Sequence, residues 1–262
     1  MRLFGRGAEA AGEAGRDEDV GGGQLAHRAA PEAEEGGVDP VAEDVEDVLH
    51  ARLTVGGQAP QVGPADHPRP GAEGQGLDDV AVALADCLAA ATDDVLVAPA
   101  LPYGSAGEHA AFPGTLSIGA AALELVLVEL VRSADAFAGV VLVSGHGGNA
   151  EPLAAAVATL RAEGRKALGW SPRIPAGDAH AGRTETSLLL ALAPQLVRLD
   201  AAEPGDVRPL ATVIGELRRN GVAAVSPNGI LGDPTGATPE EGQRLLDALA
   251  TDLIACVECW RR

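Results

Sequence analysis

The run Val140-Val141-Leu142-Val143 constrains this chain more than any other stretch. Four consecutive apolar residues fit a strand buried on both faces, and such strands belong to parallel sheets covered by helices. The run leads into Ser144-Gly145-His146-Gly147-Gly148-Asn149. Asn149 to Gly164 then reads as a helix, with Asn149 at the N-cap, Pro152 in the first turn and Gly164 closing it.

The same alternation runs through everything after Leu77. Val80 to Ala91 reads as an Ala/Leu helix, and Val95 to Ala100 as a buried strand running into Leu101-Pro102-Tyr103-Gly104. Gly119 to Ser133 is helical, with Leu123, Leu127 and Leu130 on one face. Lys166 to Trp170 is a weaker strand, and Thr184 to Leu192 a helix stopped by Pro194. The last helix opens at Thr238-Pro239-Glu240-Glu241, where Thr238 and Glu241 have capping-box spacing, and runs to about Trp260. Strands and helices in this order predict an α/β domain: three α-β-α layers around a mostly parallel sheet.

Residues 1–76 read differently. They are rich in Gly, Ala, Pro and Glu and lack a sustained apolar period. They carry −9 of the net charge of −19. A segment with so little to bury cannot offset its ordering entropy, so it is expected to be a mostly disordered acidic extension. Only Val38 to Val55 has scattered apolar residues suited to a short helix or strand. The predicted organisation is therefore an extension at 1–76 and a folded domain at 77–262.

The acidic balance argues against nucleic acid as a partner, because phosphate binding needs clustered Lys and Arg. No run approaches 18 consecutive apolar residues and no signal-peptide core is present, so a cytoplasmic protein without membrane contact is expected. Aromatic residues make up only 2% of the chain, which leaves the core to Leu, Val, Ile and Ala. Cys256 and Cys259 form a C-x-x-C, but no second half of a zinc quartet accompanies them. With Cys87 they read as ordinary thiols of a reducing compartment.

Three loops carry polar residues that packing does not require. The first is Gly104-Ser105-Ala106-Gly107-Glu108-His109, followed by Phe112-Pro113-Gly114-Thr115. The second is Ser144 to Asn149. The third runs from Gly177-Asp178-Ala179-His180 through Thr184-Glu185 to Ser187. In an open parallel sheet, ligands bind beyond the carboxyl ends of the strands, so these loops can converge on one rim. His, Asp and Glu supply the N and O donors that zinc, manganese and iron accept.

Each feature also has a plainer explanation. Gly-x-Gly-Gly around His146 could be a phosphate-binding turn, although the full dinucleotide fingerprint is missing, or His146 could be a structural turn residue. Glu185 in a first helical turn favours the helix dipole whatever else it does. Glu108-His109 could be a solvated surface pair.

Taken together, "LPYGSAGEHAAFPGTLSIG", "VLVSGHGGN" and "GDAHAGRTETSLLLALAP" resemble the creatininase family in order and spacing. The tail "VSPNGILGDPTGATPEEGQRLL" is similar too. The resemblance covers about residues 77–262, and its wording is most like the branch that trims the mycofactocin precursor peptide. It implies a creatininase-like domain with two divalent metal ions (Zn, Fe or Mn) and a bridging hydroxide that attacks an amide carbon. His146 and Glu185 would be metal ligands, with Glu185 alternatively holding a metal-bound water. His180 would be the general acid on the leaving nitrogen, and Asp178 would orient it. Glu108 and His109 would line the substrate pocket.

The implied reaction is hydrolysis of a peptide bond that releases a Val-Tyr-type dipeptide from a modified ribosomal peptide. Two alternatives stay open: another amidohydrolase acting on a small cyclic amide or formamide, and a catalytically dead homologue that only binds peptide. Family members assemble as homo-oligomers.

Two departures accompany the resemblance. In creatinine hydrolases a glutamate lies two residues after the histidine matching His146, and here that position is Gly148. The family's opening Glu-x-His motif has no match between Met1 and Gly76, because Ala65-Asp66-His67-Pro68 has the wrong spacing. Asp78 or Asp79 lies near the distance expected for the metal-bridging aspartate. The Gly/Ala/Pro/Glu/Arg bias of 1–76 resembles a GC-rich gene read in the wrong frame.

Overall fold

A computed structural model of the chain describes residues 50–55, 75–175 and 177–262, with backbone alone at 50–55 and 75–78. Its sheet has four strands: β1 (His50–Val55), β2 (Val95–Val97), β3 (Val140–Ser144) and β4 (Ala167–Trp170). Their order is β2-β1-β3-β4, and every pairing is parallel. The chain winds outward from β1 to β2, then crosses back to β3 and β4. The switch point of this winding lies between β1 and β3, where ligands of such sheets bind.

The Val140–Val143 run is buried on both faces, and its side chains alternate between two cores. Val140 and Leu142 pack with Leu123, Leu127 and Val131 of α2 (Ala120–Arg132) and with Leu153, Val157 and Leu160 of α3 (Ala150–Ala162). Val141 and Val143 face the other way, onto α1 (Gln75–Ala91), α4 (Arg183–Leu192) and α7 (Pro239–Arg261). Leu84, Leu188 and Leu253 are among the residues of that second core. Each such buried side chain contributes about 1.5–3 kcal/mol of hydrophobic stabilisation. The layers are α-β-α, as the alternation predicts.

Helix termini follow their local chemistry. The Thr238 hydroxyl accepts the Glu241 backbone N–H at 3.2 Å, with Pro239 in the first turn of α7. Asn149 occupies the N-cap position of α3, but its side chain makes no capping bond. Its amide instead bonds the Ser105 loop and the end of β3. Helix α7 crosses α4 closely because Gly242 has no side chain: a Cβ there would run into the backbone carbonyl of Ser187.

No sustained apolar period marks an element in 199–237 of the sequence. This region holds α5 (Leu210–Asn220) and the single turn α6 (Val222–Val225), which form a small third core with Leu231. Strand β1 falls inside Val38 to Val55, the one stretch of 1–76 with apolar residues to pair. The remainder of the expected acidic extension lies outside the described residues, apart from the first residues of α1. Among the described residues no helix is long and apolar enough to cross a membrane.

Candidate functional site

The site is assembled from the three polar loops. Strand β3 ends at Ser144, and His146 follows in extended conformation before a single 3-10 turn, Gly147–Asn149. The loop at 104–109 makes its own 3-10 turn at Gly107–His109. The third is fixed by an antiparallel bridge between His180 and Leu231, in which the Leu231 N–H donates to His180 O at 2.8 Å.

Asn149 ties two of these loops together. Fully buried, it accepts the Ser105 N–H at 2.8 Å through Oδ1 and donates through Nδ2 to Ser144 Oγ at 3.2 Å. Buried amides are expected to use their polar atoms in this way. Ser117 adds a further tie by accepting the Ala106 N–H at 3.0 Å. The sequence marks Asn149 as an N-cap and Ser105 as a loop residue, but a contact spanning 44 residues leaves no local sign.

His109 sits in the middle of the cluster. Its ring centroid is 4.7 Å from that of His180 and 6.0 Å from that of His146. All three histidines are buried. His146 Nε2 lies 3.0 Å from Glu108 Oε1 and 3.1 Å from Ser105 O. His180 Nδ1 lies 3.3 Å from Glu185 Oε2, and the same oxygen accepts the Ala181 N–H at 2.6 Å. Each of these two histidines therefore has its own carboxylate.

Glu108 and Glu185 were expected in the pocket wall and on a metal. They stand beside His146 and His180 respectively. Asp178, expected to orient His180, turns its carboxylate to the start of α4, where Oδ1 accepts the Thr184 N–H at 3.1 Å. Asp78 lies in the first turns of α1, and its side chain is outside the described residues.

Burial and neighbouring charge set the protonation states. Burial works against an imidazolium at His180, but the Glu185 carboxylate, with Glu108 and Asp178, outweighs it and raises the pKa above 6.5. Burial would raise Glu185, yet the charge and hydrogen bond of His180 and the Ala181 N–H hold it below the usual glutamate value. Glu108 is lowered as well: burial opposes its charge, and the bond to His146 leads the contributions that prevail. His109 is pushed down to about 4, first by burial and then by the charge of His180. The cluster thus sets a neutral imidazole beside one that favours its charged form, a division of labour typical of acid–base sites.

Imidazole–carboxylate pairs gathered beyond the carboxyl ends of parallel strands mark this as an α/β protein with an acid–base site. The family model described as creatinine amidohydrolase matches residues 78–257. The chain belongs to the creatininase family.

Among its relatives, the mycofactocin precursor peptide peptidase of Mycolicibacterium smegmatis is 52% identical over 175 residues, covering 66% of this chain and 70% of that protein. The protein of the same name from Mycobacterium ulcerans is 52% identical over 167 residues, covering 63% of this chain and 66% of that one. A solved structure of creatininase in its Mn form shares the fold with a TM-score of 0.61 at 25% identity, over 81% of this chain and 90% of that one. A Zn-Zn form, 24% identical, has a TM-score of 0.61 and covers 80% of this chain and 89% of that one.

Proposed function

We propose that this chain is a metal-dependent peptidase that trims the carboxyl end of the mycofactocin precursor peptide, releasing a Val-Tyr-type dipeptide. The observation that carries the reading is the His180–Glu185 pair at the strand rim, in a chain 52% identical over 175 residues to a peptidase of that name. A cytoplasmic homo-oligomer is part of the same proposal.

The donor chemistry fits a divalent cation. His146 and Glu108 bring a borderline N donor and a hard O donor to the rim, types that first-row divalent ions accept; here Nε2 is hydrogen-bonded between Glu108 Oε1 at 3.0 Å and Ser105 O at 3.1 Å. Among the described residues no group of three His, Cys, Asp or Glu is arranged to hold an ion, so further ligands must join this pair. His146 and Asp78 are the residues that would hold the metal. When bound, such ions supply an acidified water and polarise the scissile carbonyl.

The chain's own residues do the rest. Glu185 faces Nδ1 of His180 and leaves Nε2 to face the substrate. As water adds to the carbonyl carbon and the C–N bond breaks, His180 Nε2 passes its proton to the leaving nitrogen. The raised pKa of His180 keeps that proton available near neutral pH. Glu185 was expected on the metal. Its Oε2 is engaged by Ala181 and His180, which supports a positioning role.

The test is purified protein loaded with Mn(II), Fe(II) or Zn(II) and incubated with a peptide ending in Val-Tyr, followed by mass spectrometry. Loss of the terminal dipeptide is expected. Cleavage of small cyclic amides or formamides instead would move the reaction to another member of the family's chemistry. Peptide binding without any hydrolysis would make the chain a binding protein.

A further inference from the structure

The proposed reaction removes two residues from the carboxyl end of a peptide, so the substrate brings a free carboxylate close to the reacting atoms. The place it approaches is acidic. Glu108 and Glu185 stand at the rim beside His146 and His180, in a chain whose net charge is −19. Like charges repel, so recognition of a terminal carboxylate calls for a cation set beside this rim.

Helix α5 carries one there. Its Val213 and Leu217 lie in the small core against which Phe112, three residues after His109, and Ala179, one residue before His180, are packed. The helix is thus seated on two loops of the site. It ends at Gly221, where a Cβ would be 2.8 Å from the Glu108 carbonyl oxygen. Arg218 lies three residues before Gly221, and its Nη2 meets Glu151 Oε1 at 3.4 Å. Glu151 is in the first turn of α3, three residues after Gly148. A Cβ at Gly148 would run into Glu108 Oε1 and lie 2.5 Å from His146 Nε2. The Arg218–Glu151 contact therefore joins two helix ends that flank the Glu108–His146 contact.

This ion pair is open to exchange. The Arg218 side chain is 71% exposed and that of Glu151 84%, and water screens such a contact. A guanidinium matches a carboxylate with two parallel hydrogen bonds, so an incoming carboxylate can displace Glu151. Two extended residues span about 7 Å, little more than one helical turn of ~5.4 Å. Arg218 and Glu151 each stand about one turn from a glycine packed against Glu108, which suits that span. Arg183, beside the His180 loop in sequence, is held instead by Glu241 at 2.7 Å.

We infer that Arg218 is the subsite for the terminal carboxylate of the peptide substrate, with Glu151 holding the guanidinium in place until peptide binds. The inference rests on the carboxyl-end trimming proposed above and adds the residue that recognises that end.

The test uses the full chain loaded with Mn(II) and a fluorescently labelled peptide ending in Val-Tyr, made as the free acid and as the carboxamide. Fluorescence anisotropy reads binding and mass spectrometry reads cleavage. The unaltered chain is expected to bind the acid about tenfold more tightly than the amide, the scale of one charge-assisted hydrogen bond. Arg218→Gln should abolish that preference, raising KM for the acid about tenfold with kcat within about twofold, and should leave the amide unaffected. Arg219→Gln should keep the preference, because a Cβ at Gly215 would meet Arg219 Nη1 at 3.5 Å and the side chain runs back along α5. Glu151→Gln releases the Arg218 guanidinium and should keep the preference or enlarge it.

An acid preference that survives Arg218→Gln overturns the assignment. So does equal binding of acid and amide by the unaltered chain, or an equal loss of both in Arg218→Gln. Should Arg218→Gln not fold, Arg218→Lys takes its place: a partial loss of the preference is expected, and an unchanged preference overturns the assignment. Acid-selective binding that depends on Arg218 without cleavage of either peptide supports the subsite and overturns the peptidase reading. Binding of neither peptide overturns both.

Discussion

His180 Nδ1 and Glu185 Oε2 stand 3.3 Å apart, and the pair spans one loop and the first turn of the helix that follows it. The carboxylate raises the histidine and the histidine lowers the carboxylate. Replacing Glu185 by Gln removes the charge with little change in shape. The His180 pKa is expected to fall, read from the imidazole nitrogen shifts in an NMR titration, and kcat to drop by about 10–100-fold. An unchanged His180 titration would show that the pair is not electrostatically linked.

The same pair makes stability depend on pH in a defined window. A raised histidine stabilises fully below its unfolded value of 6.5 and loses that contribution as pH rises through its folded pKa. A lowered glutamate stabilises above its unfolded value of 4.5 and loses it as pH falls through its folded pKa. The Tm advantage of the metal-free chain over Glu185→Gln should therefore peak between pH 4.5 and 6.5. A difference that keeps growing above neutral pH would contradict this.

His109 behaves in the opposite sense. Its pKa of about 4 keeps the folded form neutral while the unfolded chain takes up a proton near 6.5, so this residue lowers stability as pH falls between those values. At pH 5.5 its ring should show the nitrogen shifts of a neutral imidazole, while His180 shows those of an imidazolium.

Asn149 joins the loops through both ends of its amide. Asn149→Ala leaves the Ser105 N–H without this partner and is expected to cost about 1–3 kcal/mol in chemical denaturation. Metal affinity should fall with it, because the His146 loop loses one of its ties to the Ser105 loop. A variant with lowered stability but unaltered metal binding would show that the clamp does not position the ligands.

Leu253 and Leu125 offer a contrast within the helices. Leu253 is fully buried between α7 and the sheet, and Leu125 is 60% exposed on α2. Leu253→Ala should cost about 2–5 kcal/mol, whereas Leu125→Ala should stay within about 0.5 kcal/mol.

The boundary near residue 76 carries a prediction about the gene. The family match begins at residue 78, and we propose that the Gly/Ala/Pro/Glu/Arg bias before it reflects GC-rich DNA read in another frame. Translating the other two frames of the coding DNA before Leu77 is expected to reveal a Glu-x-His motif. Its absence from both frames would remove this explanation.

Much of the scaffold could be read from local pattern. Val140–Val143 declared its double burial because no polar residue interrupts it, and Thr238 declared the start of α7 through capping geometry. The α5–α6 region could not be read this way. Its small core depends on Leu231, Phe112 and Ala179 from elsewhere in the chain, and no local period announces such contacts. Strand β1 was only half legible, since its pairing partners are β2 and β3 rather than its neighbours in sequence.

By itself the sequence determined the alternating layers, the rim at which polar loops gather and the residue types available there. These follow from periodicity and from where glycine and polar residues interrupt it. Only tertiary structure decided which carboxylate serves which histidine. Glu108 is 38 residues from His146 in the chain and yet touches it, whereas Asp178, two residues from His180, turns instead to a helix terminus. Such pairings are fixed by where the loops pack in space, and sequence separation carries no information about that distance.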